Sequence, residues 1–254
     1  MKLSAIIITK NEEQMIGDCL RSLQFADEII VVDTGNTDKT NQIAKQYKAK
    51  IVEYSGPRDY SAFRNTVTPH ARGEWLLYID ADERVPVELQ AEIQRKIIQS
   101  GSTVAYDIPR KNIYLGKELK YGGWGGDYVT RLIKKSALKK WVNPLHEQPQ
   151  FTGSSEKLTS RLLHISHRDL SSMLEKTLLF TQHEAKLRFD AAHPPMTWWR
   201  FFRVMFTEFW YRFIKLAAWR DGTEGVIDGI FQVFNTFIIY ARLWEMQNKH
   251  VHDS

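Results

Sequence analysis

Four short β-rich runs alternate with amphipathic stretches over the first hundred residues, and this alternation limits the possible folds more than any other feature. Strands are predicted at residues 3–8, 28–32, 50–54 and 75–79, with helices between them, the third at residues 61–71. Strands that follow one another through helices are almost always parallel. The predicted fold class is therefore α/β, with a largely parallel sheet flanked by helices.

After a further predicted helix at residues 87–98, the pattern changes to short strands rich in glycine and aromatic residues, up to about residue 163. We interpret these strands as a mixed-sheet second half. Asp169 is predicted to cap a helix, and the chain after Pro194 is predicted to be helical with a break at Asp221 and Gly222. The sequence thus predicts a catalytic domain at residues 1–165 and a C-terminal helical extension at residues 166–254.

Composition excludes several classes of protein. With 43% hydrophobic and 26% charged residues, the chain is neither disordered, nor collagen-like, nor made mostly of membrane spans. The net charge of +5 suits an anionic partner, which could be nucleic acid, a sugar nucleotide or an acidic lipid. Cys19 is the single cysteine and is expected to be a buried thiol. Since no signal peptide and no uninterrupted apolar run of ~20 residues is apparent, a cytoplasmic protein is predicted.

Polar residues follow the predicted strands at the edge where open α/β sheets bind ligands. Thr9 ends the first strand, and Asp80 and Asp82 follow the fourth. Residues i and i+2 of an extended chain point the same way, so the two carboxylates should converge and repel unless a cation lies between them. A divalent metal, Mg or Mn, bound to a diphosphate is one interpretation. The other is an acidic loop that caps the next helix, with Asp82 or Glu83 near its N-terminus.

The second strand ends in Asp33, which is followed by a glycine turn and a helix. This arrangement would aim the Asp33 carboxylate at the ligand crevice, where it could accept the N–H of a pyrimidine ring. The alternative is that Asp33 caps the turn or the helix that follows.

These stretches together resemble glycosyltransferase family 2, the inverting enzymes with a GT-A fold. The matching stretches are SAIIITKNE at residues 4–12, IVVDTGNTDKT at residues 30–40, Arg64-Asn65, and GEWLLYIDADE at residues 73–83. The resemblance implies that Thr9 and Glu12 line a nucleoside pocket and that Asp33 binds uracil. It also implies that Arg64 approaches the nucleotide, and that Asp80 and Asp82 bind the metal and the diphosphate of a UDP-sugar. Without the resemblance, Arg64 would be interpreted as a solvated helical arginine.

Inversion by direct displacement needs a general base for the acceptor hydroxyl. The stretch WVNPLHEQ at residues 141–148 follows TRLIKK at residues 130–135, and this order resembles one branch of the family. The base would be Glu147, with His146 as the alternative. The loop YGGWGGD at residues 121–127 could close over a sugar, which would give Trp124 a role in acceptor binding.

Residues 198–219 are rich in Trp and Phe, and on a helix the basic residues gather on about half of the circumference. The basic residues are Arg200, Arg203, Arg212 and Lys215. This pattern favours a helix that lies on a membrane surface, and the alternative is packing against the catalytic core or against residues 226–244. The tail resembles that of lipopolysaccharide inner-core β-1,4-glucosyltransferases of the same family. This similarity implies glucose transfer from UDP-glucose to a lipid-borne heptose by an enzyme peripheral to the inner face of the cytoplasmic membrane.

Other functions fit the sequence less well. Transfer to another lipid-linked or surface polysaccharide is the nearest alternative. A nucleotidyltransferase would need a glycine-rich loop after the first strand, and residues 9–13 contain no glycine. A nucleic-acid-binding protein would present its aromatic residues on strands, whereas here they lie on a predicted helix, so no nucleic-acid partner is predicted.

Overall fold

The computed structural model describes residues 1–57, 59–144 and 146–252. They form two compact units. The first, which we call the sheet unit, contains residues 1–111 and 126–164. The second, which we call the helical unit, contains residues 112–125 and those from 165 onward. The predicted division into a catalytic domain at 1–165 and an extension at 166–254 stays a prediction.

The first four strands of the sheet unit are parallel, in the order β3-β2-β1-β4. Their bounds are β1 Leu3–Thr9, β2 Glu28–Asp33, β3 Lys50–Glu53 and β4 Trp75–Asp80. Thr9 is paired with Asp33, and Ile8 with Asp80. Because parallel strands end at the same edge, the register alone brings three predicted site residues together.

The second half adds a mixed sheet, as predicted. The sheet continues as β4-β8-β6-β12-β5, with β8 antiparallel to β4 and β6 antiparallel to β8. A separate antiparallel pair, β9 and β10, forms a hairpin. The remaining bounds are β5 Glu83–Arg84, β6 Thr103–Tyr114, β7 Lys117–Glu118, β8 Tyr128–Lys134, β9 Leu138–Val142, β10 Gln148–Phe151, β11 Ser154–Lys157 and β12 Leu162–His167.

Four helices flank this sheet: α1 Ile16–Ser22, α2 Thr40–Gln46, α3 Tyr60–Val67 and α4 Val87–Ile98. Asp59 caps α3 by accepting a hydrogen bond from the N–H of Ala62 at 3.0 Å. The α-helical part of α3 is shorter than predicted, because Pro69 lacks an N–H and the chain continues as a 3-10 turn at Thr68–His70. Alternate residues of β1 and β4 pack into two apolar clusters on opposite faces of the sheet.

The helical unit contains α5 Leu170–Asp190, α6 Trp198–Trp210, a π-helical turn at Tyr211–Lys215, a 3-10 turn at Ala218–Asp221, and α7 Gly222–His252. Asp169 caps α5, as predicted, by accepting the N–H of Ser172 at 2.7 Å. The predicted break is also present, since Gly222 has a φ of 74° and α7 begins there.

Helix α7 revises the expectation that the chain has no segment able to span a membrane. The helical segment Ala218–Asn248 is long and apolar enough by length and composition, because an 18-residue window within it has a mean hydropathy of 1.3, and 22% of that window is buried. This segment contains no long uninterrupted apolar run, because Asp228 and Arg242 interrupt it. The mean hydropathy of the window stays high enough for a spanning helix despite these two charges.

Helix α6 packs against α7 but leaves a broad aromatic surface exposed. Trp198, Phe202 and Phe206 follow one another at four-residue spacing and are 76%, 69% and 66% exposed. Fewer basic residues are available to a membrane than predicted, because Arg212 is engaged within the protein. It donates hydrogen bonds to the Gly122 carbonyl at 2.7 Å and to Glu208 at 2.7 Å. Arg212 therefore stabilises the helical unit itself.

Candidate active site

Asp33 lies at the end of β2 and organises the turn that follows. Its Oδ1 accepts the N–H groups of Gly35 at 2.8 Å and Asn36 at 2.6 Å, and its Oδ2 accepts the Asn41 amide at 2.5 Å. Burial would raise the pKa of Asp33, but the bonds from Asn36, Asn41 and Gly35 outweigh it and the pKa is lowered. The turn-capping alternative is thus present in the structure. A carboxylate has about four acceptor sites, and these bonds use three of them.

Thr9 is the last residue of β1 and Glu12 follows it, and both contact residues between the end of β2 and the start of α2. Thr9 is buried, and its hydroxyl donates to the Val32 carbonyl at 3.0 Å and accepts the Asn36 amide at 2.8 Å. The backbone N–H of Glu12 donates to the Thr40 hydroxyl at 2.8 Å. These contacts tie β1 to the turn after β2, and the predicted roles of both residues in nucleoside binding stay predictions.

Asp80, at the end of β4, is held by two arginines. Arg64 Nη2 lies 3.2 Å from Oδ1 of Asp80, and Arg131 Nη2 donates to Oδ2. Burial would raise the pKa of Asp80, but the charges of Arg131 and Arg64 hold it well below its usual range. Asp80 is therefore anchored by both arginines, although its side chain is 37% exposed.

Glu83 is fully buried beneath this cluster. It accepts the backbone N–H of Asp80 at 2.9 Å, and its Oε1 lies 3.2 Å from Arg131 Nη2 and 3.6 Å from Arg110 Nη1. Burial raises the pKa of Glu83 despite the opposing charge of Arg131. The suggestion that Glu83 caps the next helix from a loop is wrong, because the residue lies in β5 and supports the end of β4.

Arg64 joins the strand-end cluster to the proposed base. Its Nε and Nη2 donate to Oε1 of Glu147 at 3.0 and 2.6 Å, although the two residues are 83 positions apart. The side chain is 1% exposed, and its guanidinium carbon lies 4.7 Å from the ring centroid of Trp141 and 5.5 Å from that of Tyr78. The solvated-arginine alternative is therefore wrong.

Helix α3 also holds the hairpin that carries both base candidates. The Asn65 side chain pairs with the backbone of Trp141 through two hydrogen bonds of 2.9 and 2.7 Å, and the N–H of Tyr60 donates to the Pro144 carbonyl at 3.1 Å. His146 has a left-handed backbone with a φ of 53°, and its side chain is exposed, whereas Glu147 is half-buried. The structure joins Glu147 to Arg64, and the choice between Glu147 and His146 as base stays open.

Asp82 is the second carboxylate predicted to bind metal. Its Oδ1 lies 3.8 Å from Nε2 of His164, and its side chain is 21% exposed. Within residues 1–57, 59–144 and 146–252, no three His, Cys, Asp or Glu side chains form a group able to hold a metal ion. A Mg or Mn ion is commonly held by one or two carboxylates with phosphate oxygens supplying further ligands, and Asp82 fits that requirement. Asp80 would first have to release an arginine.

Trp124 belongs to the helical unit. Its indole N–H donates to Oδ2 of Asp228 at 2.7 Å, and its ring centroid lies 6.1 Å from that of Tyr114. Asp228 is buried, and burial raises the pKa of its carboxyl. The neighbouring glycines Gly122 and Gly123 have φ values of 66° and 103°, so the loop needs glycine at these positions. A role of Trp124 in acceptor binding stays a prediction.

Arg131 and Arg110 belong to the site, although no role is predicted for them from the sequence. Arg110 donates to Oδ2 of Asp127 at 2.7 Å in addition to its contact with Glu83. The sequence feature that points to such a residue is a charged side chain inside a predicted strand, as with Arg131 beside Leu132 in β8. A charged group at such a position must find a partner, although the pattern alone does not identify which one.

Comparisons with known proteins match most of the chain. Residues 4–153 match the family model described as glycosyl transferase family 2. A protein named uncharacterized glycosyltransferase from Rickettsia bellii (strain RML369-C) is 27% identical over 267 residues, which cover 96% of this chain and 87% of that protein. The lipopolysaccharide core biosynthesis glycosyltransferase LpsC of Rhizobium meliloti (strain 1021) is 24% identical over 255 residues, covering 96% and 93%. The crystal structure of S. aureus TarS 1-349 superposes with a TM-score of 0.50 at 15% identity, covering 98% of this chain and 92% of that one.

Proposed function

The chain belongs to glycosyl transferase family 2 and has the GT-A fold, and from this premise we propose that it transfers glucose from UDP-glucose to a heptose of the lipopolysaccharide inner core. It is a glycosyltransferase, and the choice of donor and acceptor is the proposal. The acceptor is supported by the near full-length similarity to a relative named for lipopolysaccharide core biosynthesis. The donor is supported by Asp33, whose remaining acceptor site suits the N–H of uracil.

One observation carries the proposed mechanism: Arg64 contacts both Asp80 and Glu147. Asp80 lies at the strand edge where the donor diphosphate is expected, and Glu147 lies in the hairpin loop. Inverting transfer needs a base close to the carbon that carries the diphosphate. Because the Arg64 guanidinium contacts both carboxylates, a single side chain bridges the candidate base Glu147 and the donor-side Asp80.

The proposed step is a single displacement. Glu147 takes the proton of the acceptor hydroxyl while the hydroxyl oxygen bonds to the anomeric carbon of the donor sugar. The bond between that carbon and the diphosphate oxygen breaks, and its electron pair leaves with UDP. The result is inversion at the anomeric carbon, with the proton on Glu147 and the negative charge on UDP.

Asp82 would hold the divalent metal, with Asp80 as a second ligand once an arginine has moved. When bound, Mg or Mn supplies positive charge that stabilises the departing diphosphate. Thr9 and Glu12 complete the proposed donor site, and Trp124 is the proposed acceptor contact.

The proposed location is the inner face of the cytoplasmic membrane, with the aromatic surface of α6 as the contact. Arg200 and Arg203 each lie about 5.5 Å from the ring of Trp199, so basic groups and indole rings lie side by side, as in interfacial helices. An apolar groove of ≈ 220 Å³ between α6 and α7 adds to this surface, lined by Met205, Phe209, Ile230, Val233, Phe234 and Phe237. A lipid-linked acceptor would be presented at such a surface.

The test offers a panel of donors to one acceptor. Purified protein is incubated with lipopolysaccharide that ends in inner-core heptose, together with UDP-glucose, UDP-galactose, UDP-N-acetylglucosamine or GDP-mannose, with Mn2+ or with EDTA. We expect labelled sugar to enter lipopolysaccharide from UDP-glucose with Mn2+. Transfer from a different donor would refute the donor assignment. Transfer to other lipid-linked saccharides but not to heptose would refute the acceptor assignment.

A further inference from the structure

We propose that Arg64 is the positioning residue of the base, which it holds in place from the donor side, rather than a contact of the nucleotide. The inference rests on the proposed role of Glu147 in transfer. Arg64 and its neighbour Asn65 in α3 then act on the acceptor side of the reaction. All the residues concerned lie within the sheet unit.

The guanidinium of Arg64 is held through two of its three nitrogens, and Nη1 is buried without a hydrogen-bond partner among the described residues. Nε and Nη2 both donate to Oε1 of Glu147, and Nη2 also lies 3.2 Å from Asp80. The group is 1% exposed and lies against the rings of Trp141 and Tyr78. A side chain held on this many sides orients its partner with precision.

Arg64 bonds only one of the two carboxylate oxygens of Glu147, and this arrangement suits a general base. Both hydrogen bonds use Oε1, so Oε2 is the oxygen that we assign to proton transfer. Two N–H groups from one rigid fork fix both the position of Oε1 and the plane of approach. A lysine at residue 64 would keep the charge but could not reproduce this fork.

The neighbouring residues of α3 hold the rest of the hairpin. Asn65 pairs with the backbone of Trp141, at the penultimate position of β9, and the N–H of Tyr60 donates to the carbonyl of Pro144 in the loop. The backbone of the hairpin is thus attached to α3 independently of Arg64. Substitution of Arg64 should therefore move the Glu147 carboxylate without releasing the hairpin.

Asp80 completes the arrangement from the donor side. Its Oδ2 is bonded to Arg131, so the carboxylate that receives Arg64 is itself anchored. The order Arg131, Asp80, Arg64, Glu147 forms a continuous chain of ion pairs from β8 to the hairpin loop. The position of the base is therefore coupled to the strand end at which the donor is expected.

The experiment is a double-mutant cycle on Arg64 and Glu147. Arg64→Lys, Glu147→Gln and the double variant are assayed with UDP-glucose and heptose-terminated lipopolysaccharide, and UDP binding with Mn2+ is measured by calorimetry. We expect kcat of Arg64→Lys to fall roughly 100-fold, the size of a lost general base. The Kd for UDP should stay within about twofold of the wild-type value, and the double variant should be no slower than Glu147→Gln alone.

A second variant protects the test against misfolding of Arg64→Lys. Glu147→Asp keeps the charge and shortens the side chain at a half-buried position, so its carboxylate should no longer reach Arg64, and kcat should fall to a similar extent. Arg72→Lys is the matched control, since Arg72 is 68% exposed and pairs with Glu28. Additive effects in the cycle, or a tenfold weaker Kd for UDP in Arg64→Lys, would overturn the inference. Full activity of Glu147→Gln would instead refute the proposed base itself.

Discussion

Arg131 donates a hydrogen bond from Nη2 to Oδ2 of Asp80, which lies 51 residues earlier in the chain. The same nitrogen lies 3.2 Å from Oε1 of the buried Glu83, and Arg64 occupies the other oxygen of Asp80. Two guanidinium groups from β8 and α3 thus compensate two carboxylates at the end of β4 and in β5. The strand end on which the proposed chemistry depends is built by ion pairing, and its stability and its activity should respond together.

Loss of Arg131 should destabilise the sheet unit. Arg131→Gln leaves Glu83 and Asp80 without their main counter-ion, and we expect the free energy of unfolding to fall by about 2 kcal/mol. This is less than the ~3–5 kcal/mol expected for a fully buried pair, because Asp80 is 37% exposed. Urea unfolding followed by circular dichroism measures the change. Arg21→Gln removes the same charge at a 70% exposed site and should have little effect. Equal stability of the two variants would contradict the prediction.

Substitutions of Asp80 and Asp82 should differ in their effect on folding stability. Asp82→Asn should slow transfer by at least ~100-fold through loss of a metal ligand, with little change in unfolding. Asp80→Asn should also abolish transfer but lower the unfolding midpoint, because its amide would place a donor against a guanidinium. Transfer assays and thermal unfolding of each variant distinguish the two roles. Asp18→Asn, an exposed substitution, is the control. Full transfer by Asp82→Asn would refute its metal role.

The base can be assigned by comparing adjacent residues. Glu147→Gln should reduce kcat by roughly 100-fold or more and leave UDP binding unchanged, since a missing base affects only the proton-transfer step. His146→Ala should change kcat little, because the His146 side chain is exposed, whereas Glu147 is half-buried and bonded to Arg64. The measurements are steady-state kinetics and calorimetry with UDP. The reverse ranking of the two variants would assign the base to His146.

Asp33 should make folding stability depend on acidity below about pH 4. Its pKa is lowered from 3.8, so its stabilising contribution is present above that value and is lost as the pH falls through the folded-state pKa. Asp33→Asn should therefore cost about 2 kcal/mol at pH 7, as expected for lost bonds to a charged acceptor, and progressively less below pH 4. Urea unfolding at a series of pH values measures the difference. A constant difference between pH 7 and pH 3 would contradict this assignment.

Membrane contact should depend on the basic residues beside the aromatic surface, of which Arg203 and Lys215 are exposed and Arg200 is half-buried. Replacing Arg200, Arg203 and Lys215 by Gln should weaken binding to vesicles with anionic lipid roughly 100-fold, at about 1 kcal/mol for each charge. Arg212 is left in place because it bonds within the helical unit. The control replaces three exposed cations of the sheet unit, Arg21, Lys45 and Lys48, by Gln. Co-sedimentation should show a loss for the first variant alone, and equal losses would indicate a non-specific charge effect.

Much of the fold was predictable because its signals are local. The βαβ alternation predicted the parallel sheet, the capping pattern at Asp169 predicted the start of α5, and Gly222 marked the break before α7. Each of these depends on backbone geometry within a few residues. The apolar segment of α7 was missed because it is evident only in the mean hydropathy of an 18-residue window and not in any uninterrupted apolar run.

The sequence by itself determined which residues end the strands and, through the parallel order, that Thr9, Asp33 and Asp80 lie at one edge of the sheet. Only the tertiary structure decided that Arg64 is buried between Asp80 and Glu147 and that Arg131 holds the far oxygen of Asp80. The physical reason is the range of the interactions. Strand ends follow from local periodicity, whereas ion pairs across 51 and 83 residues depend on how α3, β8 and the β9–β10 hairpin pack, which no local pattern encodes.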